Sequence, residues 1–432
     1  MENLKRIIAL LMAVSICICT LYIYAEEANN TPGELKSGNA ILVDLNTSRV
    51  LYEKNSTGKI TPGGIAQVLT ATIVLESVDN LNTAVTADAQ AVNSFDFSRN
   101  NMGILPGENL TVKDLLYCVL LADAGEAANV LGVHIAGSID AFANMMNEKA
   151  ASLGCVSSNF VNPNGGPDAN QYTTLADASN IIKYAVENDT FCEIVKTKQY
   201  IIAPTNKYSK ERHVNNANKF LSSINKYYNP EVTGVKTSYI NNDDCGLALT
   251  YESGSTSLLC ILANSPYRDG TNHANEDAKK LINFGYNYFV SHKVVSKDEI
   301  FAEVKIPNGK ESNRILLVAP DNLTISLPKG YDESKIELKT DTPKKAKAPI
   351  SQGDALGQIN VYYNGEKYSS MVLVSDTTLN SSPIKGFINA ITSFFTSPIF
   401  ITAVLLIIGL FIAYTILVNR AIRRRSYTSR FR

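Results

Sequence analysis

The sequence predicts an α+β domain, then a small all-β domain, then one C-terminal helix that crosses a membrane. Three features predict this. Two strand-like runs, 40–44 and 50–55, are joined by the turn Asn46-Thr47-Ser48 and lead into an apolar run at 68–75. From Lys293 onward the pattern changes to short alternating runs separated by turn residues. Residues 398–418 are apolar without interruption, long enough to span a bilayer.

Each element follows in order. Lys5 and Arg6 precede an apolar run ending at Ala25, which predicts a signal peptide over 1–25. Cys17 and Cys19 within it lack the preceding small residue of a lipidation site. Residues 26–37 are polar and read as a linker; the first domain is expected over 38–292. Thr61-Pro62-Gly63-Gly64 opens a helix, because Pro and Gly are tolerated at a start and not in an interior. Val68, Leu69, Ala71, Ile73, Val74 and Leu75 surround that helix, which should therefore be central and buried. Thr111 caps a further helix. Helices are also expected near 141–150, 175–186 and 276–290, and a hairpin pairs 246–251 with 258–263.

Short strand runs at 300–306, 315–318, 323–327, 336–338, 359–363 and 371–374 make the all-β domain, 293–375. In 376–397, Ile384, Phe387, Ile388, Ile391, Phe394 and Phe395 recur at helical spacing, a pattern for an interfacial amphipathic stalk. The span, 398–418, is followed by a tail, 419–432, rich in Arg, which places the tail in the cytoplasm and the body outside.

A formal net charge of −1 gives no footprint for a nucleic-acid partner. His134, His213, His273 and His292 are scattered without metal-ligand spacing, so neither a metal nor another cofactor is expected. Cys118, Cys155, Cys192, Cys245 and Cys260 are irregularly spaced, unlike a disulfide framework. Cys245 and Cys260 flank the turn Ser253-Gly254-Ser255, so they either face one another and pair or stay as free thiols.

Strand, turn, strand and buried helix, followed by Ala127-Ala128-Asn129, by Val235-Lys236-Thr237-Ser238 and by a β-rich segment with Ala348-Pro349-Ile350, resemble the D-alanyl-D-alanine carboxypeptidases. These are low-molecular-mass penicillin-binding serine peptidases. The resemblance implies a penicillin-binding/β-lactamase-like fold for the first domain. It also implies three motifs: Ser-x-x-Lys at the helix start, Ser-x-Asn on a loop, and Lys-Thr-Gly on an edge strand. In this register the first motif reads Gly64-Ile65-Ala66-Gln67 and the second reads Asp123-Ala124-Gly125. The third keeps Lys236 and Thr237 and has Ser238 for Gly. Asn164 stands where the family commonly has His.

Gly64 has no nucleophile and Gln67 cannot accept a proton. Losing a nucleophile alone costs roughly a millionfold in rate. Matches at Ser56-Thr57-Gly58-Lys59, Ser223-Ile224-Asn225-Lys226 and Ser37-Gly38-Asn39 lie off the buried helix and the motif positions. The resemblance therefore implies a membrane-anchored, catalytically silent homologue. Lys236, Thr237 and Ser238 would still hold a peptidoglycan stem peptide, or the body would bind a cell-wall machinery protein. Two alternatives stay open: an active carboxypeptidase with another nucleophile, and a structural partner of division or sporulation machinery.

Overall fold

The computed structural model describes residues 31–268 and 270–428; the expected signal peptide, 1–25, and the last four residues of the tail lie outside the described residues. The chain divides into two compact units. One runs to His292 and also takes Ile325–Tyr331, and the other holds Lys293–Thr324 and Asp332 onward.

The first unit is built on a five-stranded antiparallel sheet. Its strands are β1 (Asn39–Asp44), β2 (Val50–Lys54), β3 (Val232–Asn241), β4 (Asp244–Ser253) and β5 (Thr256–Ser265), in the order β2-β1-β5-β4-β3. Alternation along the strands splits the core in two. Ile41, Val43, Leu259 and Ile261 point to one face, and Ala40, Leu42, Leu258, Cys260 and Leu262 to the other. Helix α1 (Gly64–Ser77) is buried from Gly64 through Val74, as its apolar circumference predicts. Around it pack α2 (Val112–Ala122), α3 (Gly125–Ala136), α4 (Ile139–Ser152) and α5 (Leu175–Ala185). Helix α6 (Ala274–Tyr288) covers the other face with Leu281, Ile282 and Phe284. Truncating the fully buried Leu69 to Ala is expected to cost about 2–5 kcal/mol.

Thr111 caps α2 as the sequence predicts: its hydroxyl accepts from the Asp114 N–H, and the Asp114 carboxylate accepts from the Thr111 N–H. Two details differ from the sequence reading. The segment read as a linker is tied down at its end, since Leu35 is buried and Ser37 donates its N–H and hydroxyl to Asp277 Oδ2 at 2.7 Å. Cys245 and Cys260 do not face one another, and all five described cysteines are free. The two-residue turn at Gly254-Ser255 sets Ser253 opposite Thr256, which carries Cys260 opposite Leu249. A bulge then shifts Cys245 opposite Ser265.

The second unit holds a five-stranded antiparallel sheet of β6 (Ile300–Lys305), β7 (Arg314–Val318), β8 (Ile336–Asp341), β9 (Ala355–Tyr363) and β10 (Glu366–Ser375), ordered β6-β7-β10-β9-β8. The run 323–327 forms a strand outside this sheet. Val304, Ile315, Leu317, Ile359 and Leu373 make its core. Helix α7 (Pro383–Phe395) starts with Ser382 capping the Lys385 N–H, and α8 (Pro398–Thr428) contains the expected span.

Candidate active site and family

The start of α1 is where two backbones meet. Gly63 adopts φ 50° and donates its N–H to the Gly165 carbonyl at 3.1 Å. A Cβ on Gly165 would lie 1.9 Å from the Gly63 carbonyl oxygen, so only glycine fits there. The loop 163–166 is thereby pressed onto the helix start.

Gly64 sits beneath β3. A Cβ at this position would fall 2.8 Å from Lys236 Cγ and 3.2 Å from Ser238 Cβ. The volume that a serine side chain would need is therefore taken by the aliphatic stem of Lys236. The space left beside Gly64, Lys236 and Ser238 is a cavity of about 20 Å³, enough for one water.

Gln67 is fully buried one turn deeper. Its Nε2 donates to the Asn164 carbonyl at 3.1 Å, and its Oε1 has no hydrogen-bond partner. Asn164 is itself fixed, donating to Asn129 Oδ1 at 2.8 Å and accepting from the Arg99 guanidinium at 2.9 Å.

Asp123 ends α2 in the left-handed region, φ 59°. Its carboxylate gathers three donors: Lys236 Nζ at 3.0 Å, Asn100 Nδ2 at 3.0 Å and the Tyr239 N–H at 3.3 Å. Both members of the Lys236–Asp123 pair are buried, with side chains 1% and 5% exposed. Burial pushes the Lys236 ammonium below the usual lysine range, and Asp123 opposes that shift. Burial likewise lowers Arg99, against Asp123 and Asp96.

Gly125 opens α3 and donates its N–H to the Asn100 carbonyl at 3.3 Å. A Cβ here would lie 2.1 Å from Phe95 Cε2, so the aromatic ring fills the place of any longer side chain. Phe95 stacks edge-on against Phe97, and Arg99 lies over its ring. Residues 95–100 thus form a strap across the site.

The structure brings Gly64, Gln67, Asp123, Gly125, Lys236 and Ser238 into one region. The Lys236 ammonium is turned inward and paired with Asp123 at 3.0 Å. Thr237 and Ser238 line instead a groove of about 420 Å³ with Asn100, Tyr239, Tyr267 and Asn272. The sequence reading missed Phe95, Asn100 and the Tyr239 N–H. The one available signal was the aromatic pair Phe95 and Phe97 within a polar stretch. The other Ser-x-x-Lys and Ser-x-Asn matches sit away from the site. Ser56 donates to Glu53 at 2.5 Å, Ser223 is exposed on a loop, and Ser37 is held by Asp277.

The D-alanyl-D-alanine carboxypeptidase family profile matches residues 25–265, and that of the penicillin-binding protein 5 C-terminal domain matches 289–381. The chain is 24% identical to D-alanyl-D-alanine carboxypeptidase DacF of Bacillus subtilis, covering 84% of this chain and 92% of the relative. It is 30% identical to DacB2 of Mycobacterium tuberculosis over 57% of this chain and 81% of the relative. The crystal structure of penicillin binding protein 5 from Haemophilus influenzae superimposes with TM-score 0.69 at 22% identity, covering 81% of this chain and 99% of that one. The profile match spans more than half of the sequence, and on that ground the chain belongs to the D-alanyl-D-alanine carboxypeptidase family.

Proposed function

We propose that this chain is a catalytically silent member of its family, held at the membrane by α8, which serves cell-wall biology by binding rather than by cutting D-alanyl termini. The observation that carries the proposal is at residue 64. A glycine stands at the nucleophile position, and the stem of Lys236 fills the space above it. An acyl-enzyme needs a side-chain oxygen there, and a base within hydrogen-bond reach of it. Gln67 supplies no base.

The parts proposed are a signal peptide (1–25), a linker (26–37) whose end from Leu35 is tied to the following domain, a silent carboxypeptidase-like domain (38–292) and a β-domain (293–375). A stalk (376–397), a span (398–418) and a basic tail (419–432) follow. The Arg-rich tail supports a cytoplasmic C-terminus and an extracytoplasmic body. Protease added outside intact cells should then degrade the body, and its protection would reverse the orientation.

Between the two ligands the sequence suggests, the closed site favours a protein of the cell-wall machinery over a stem peptide. A stem-peptide carboxylate would have to displace Asp123 from Lys236 and from the Tyr239 N–H. The test is release of D-alanine from a pentapeptide ending in D-Ala-D-Ala. The expected rate equals that without protein, and release that penicillin abolishes would refute the proposal.

A further inference from the structure

A cleft in the second unit lies between the β-domain and α7. It has a volume of about 540 Å³ and is lined by Asn308, Lys345, Ala346 and Lys347 from the β-domain and by Gly386 and Ser393 from α7. That size is in the range of small-molecule sites, about 300–1,000 Å³. Gly386 and Ser393 are seven positions apart and share one face of the helix, so short side chains leave the gap open. The start of α7 is fixed to the β-domain, because Lys385 Nζ donates to the Gly309 carbonyl at 2.8 Å.

The charge on this cleft is unbalanced. Lys305 and Lys345 lie opposite one another in an isolated parallel bridge, and Lys344 and Lys347 flank Lys345 in sequence. None of the four has an ion-pair partner among the described residues. Glu303, two positions from Lys305, pairs with Arg314 at 2.9 Å, and Glu311 accepts from Asn380 at 3.0 Å. Like charges facing each other across a strand pair are destabilising unless an anion relieves them.

The surroundings indicate which anion. Ile384, Phe387, Ile388, Ile391, Phe394 and Phe395 are 40–74% exposed on α7. Ser393 precedes Pro398, the first residue of the candidate span, by only five positions. Lysines beside an exposed apolar face and a membrane-crossing helix match a phosphate at the bilayer surface with acyl chains below it.

We propose that this cleft seats the headgroup of an anionic phospholipid, with Lys345 and Lys347 on its phosphate. The inference rests on α8 crossing the membrane and is independent of whether the motif site is silent.

The test is lysine acetylation footprinting of the full chain in lipid nanodiscs, read by mass spectrometry. Discs containing phosphatidylglycerol should protect Lys345 and Lys347 relative to phosphatidylcholine discs, whereas inorganic phosphate added to the latter should not. Equal labelling in both discs, or equal protection by inorganic phosphate, would overturn the proposal. A basic residue at an anionic surface strengthens binding about fivefold. The double variant Lys345→Gln with Lys347→Gln should therefore bind phosphatidylglycerol roughly 25-fold more weakly. The pair Lys345→Arg with Lys347→Arg should bind it as the wild type does. Neutralising Arg423, Arg424 and Arg425 should leave the footprint at Lys345 and Lys347 unchanged; its loss in that variant would move the lipid site to the tail and refute the assignment.

Discussion

Replacing Asp123 by Asn tests whether the site is closed by its own ion pair. Asn is nearly isosteric and tolerates the left-handed conformation that Asp123 adopts, so the backbone pays little. The charge effect is large. Lys236 is 1% exposed and its nearest countercharge is Asp123 at 3.0 Å. Removing one partner of a buried pair costs about 3–5 kcal/mol, because the other charge stays desolvated. For a domain of this size each kcal/mol shifts the midpoint by roughly 2–4 °C, so Asp123→Asn should lower Tm by about 6–20 °C. Adding Lys236→Met keeps the stem that packs over Gly64 and removes the stranded ammonium. The double variant should recover most of the loss, since apolar replacement of a buried pair is often neutral or better. The assay is thermal and urea unfolding of the full chain in detergent, as a double-mutant cycle. A cost below about 1 kcal/mol, the size of a surface pair, would show that Lys236 and Asp123 do not close the site.

Other outcomes follow from the same packing. Gly125→Asn should destabilise by roughly 1–3 kcal/mol or more through overlap with Phe95, and Phe95→Ala in the same chain should relieve much of it; unfolding midpoints decide this. Burial raises the Glu126 carboxyl above its ordinary range, against hydrogen bonds from backbone N–H groups including Met102. Its contribution to stability is present below the ordinary glutamate pKa and lost as pH rises through the higher folded value, so Glu126→Gln should flatten that loss in stability-versus-pH curves. Burial raises the Cys245 thiol to about 11, with Asp244 adding to it, and the Cys155 thiol to about 12, with Asp177 adding to it. In the native chain neither should react with a thiol reagent at neutral pH, and reductant should leave Tm unchanged.

Much of the fold was readable because local chemistry and global packing agree. Pro62 and two glycines mark the start of α1, and its apolar circumference marks its burial. The Thr111 cap and the alternating runs of the β-domain are equally local signals. Motif spacing also brought Asp123 and Lys236 to one place across more than a hundred residues. What was not readable depends on tertiary geometry. Nothing local says that Lys236 turns inward, since that requires Asp123 to lie beneath it and Gly64 to leave room for the stem. The strap 95–100 is a polar loop whose Phe95 is held by a vacancy at Gly125. The Cys245–Cys260 alternative failed on register. The turn residues alone set Cys260 opposite Leu249, and the bulge beside Cys245 moved the partners further apart.

The four motif positions differ together, and they differ in ways that fit one another. Gly64 admits the Lys236 stem, Asp123 neutralises its ammonium, Gly125 admits Phe95, and Gln67 bonds to the loop at Asn164. Restoring only Gly64→Ser and Gln67→Lys therefore leaves the site filled. Under the proposed silent site, penicillin labelling is expected only when Asp123→Ser, Gly125→Asn and a smaller residue at Phe95 are added to that pair.

The proposed function requires that the unmodified chain is not acylated. The most direct measurement is the intact mass of the full chain after prolonged incubation with excess penicillin. An unchanged mass is the expected result. A stable adduct of one penicillin per chain, mapped by peptide mass spectrometry to any serine, Ser56 and Ser238 included, would contradict it.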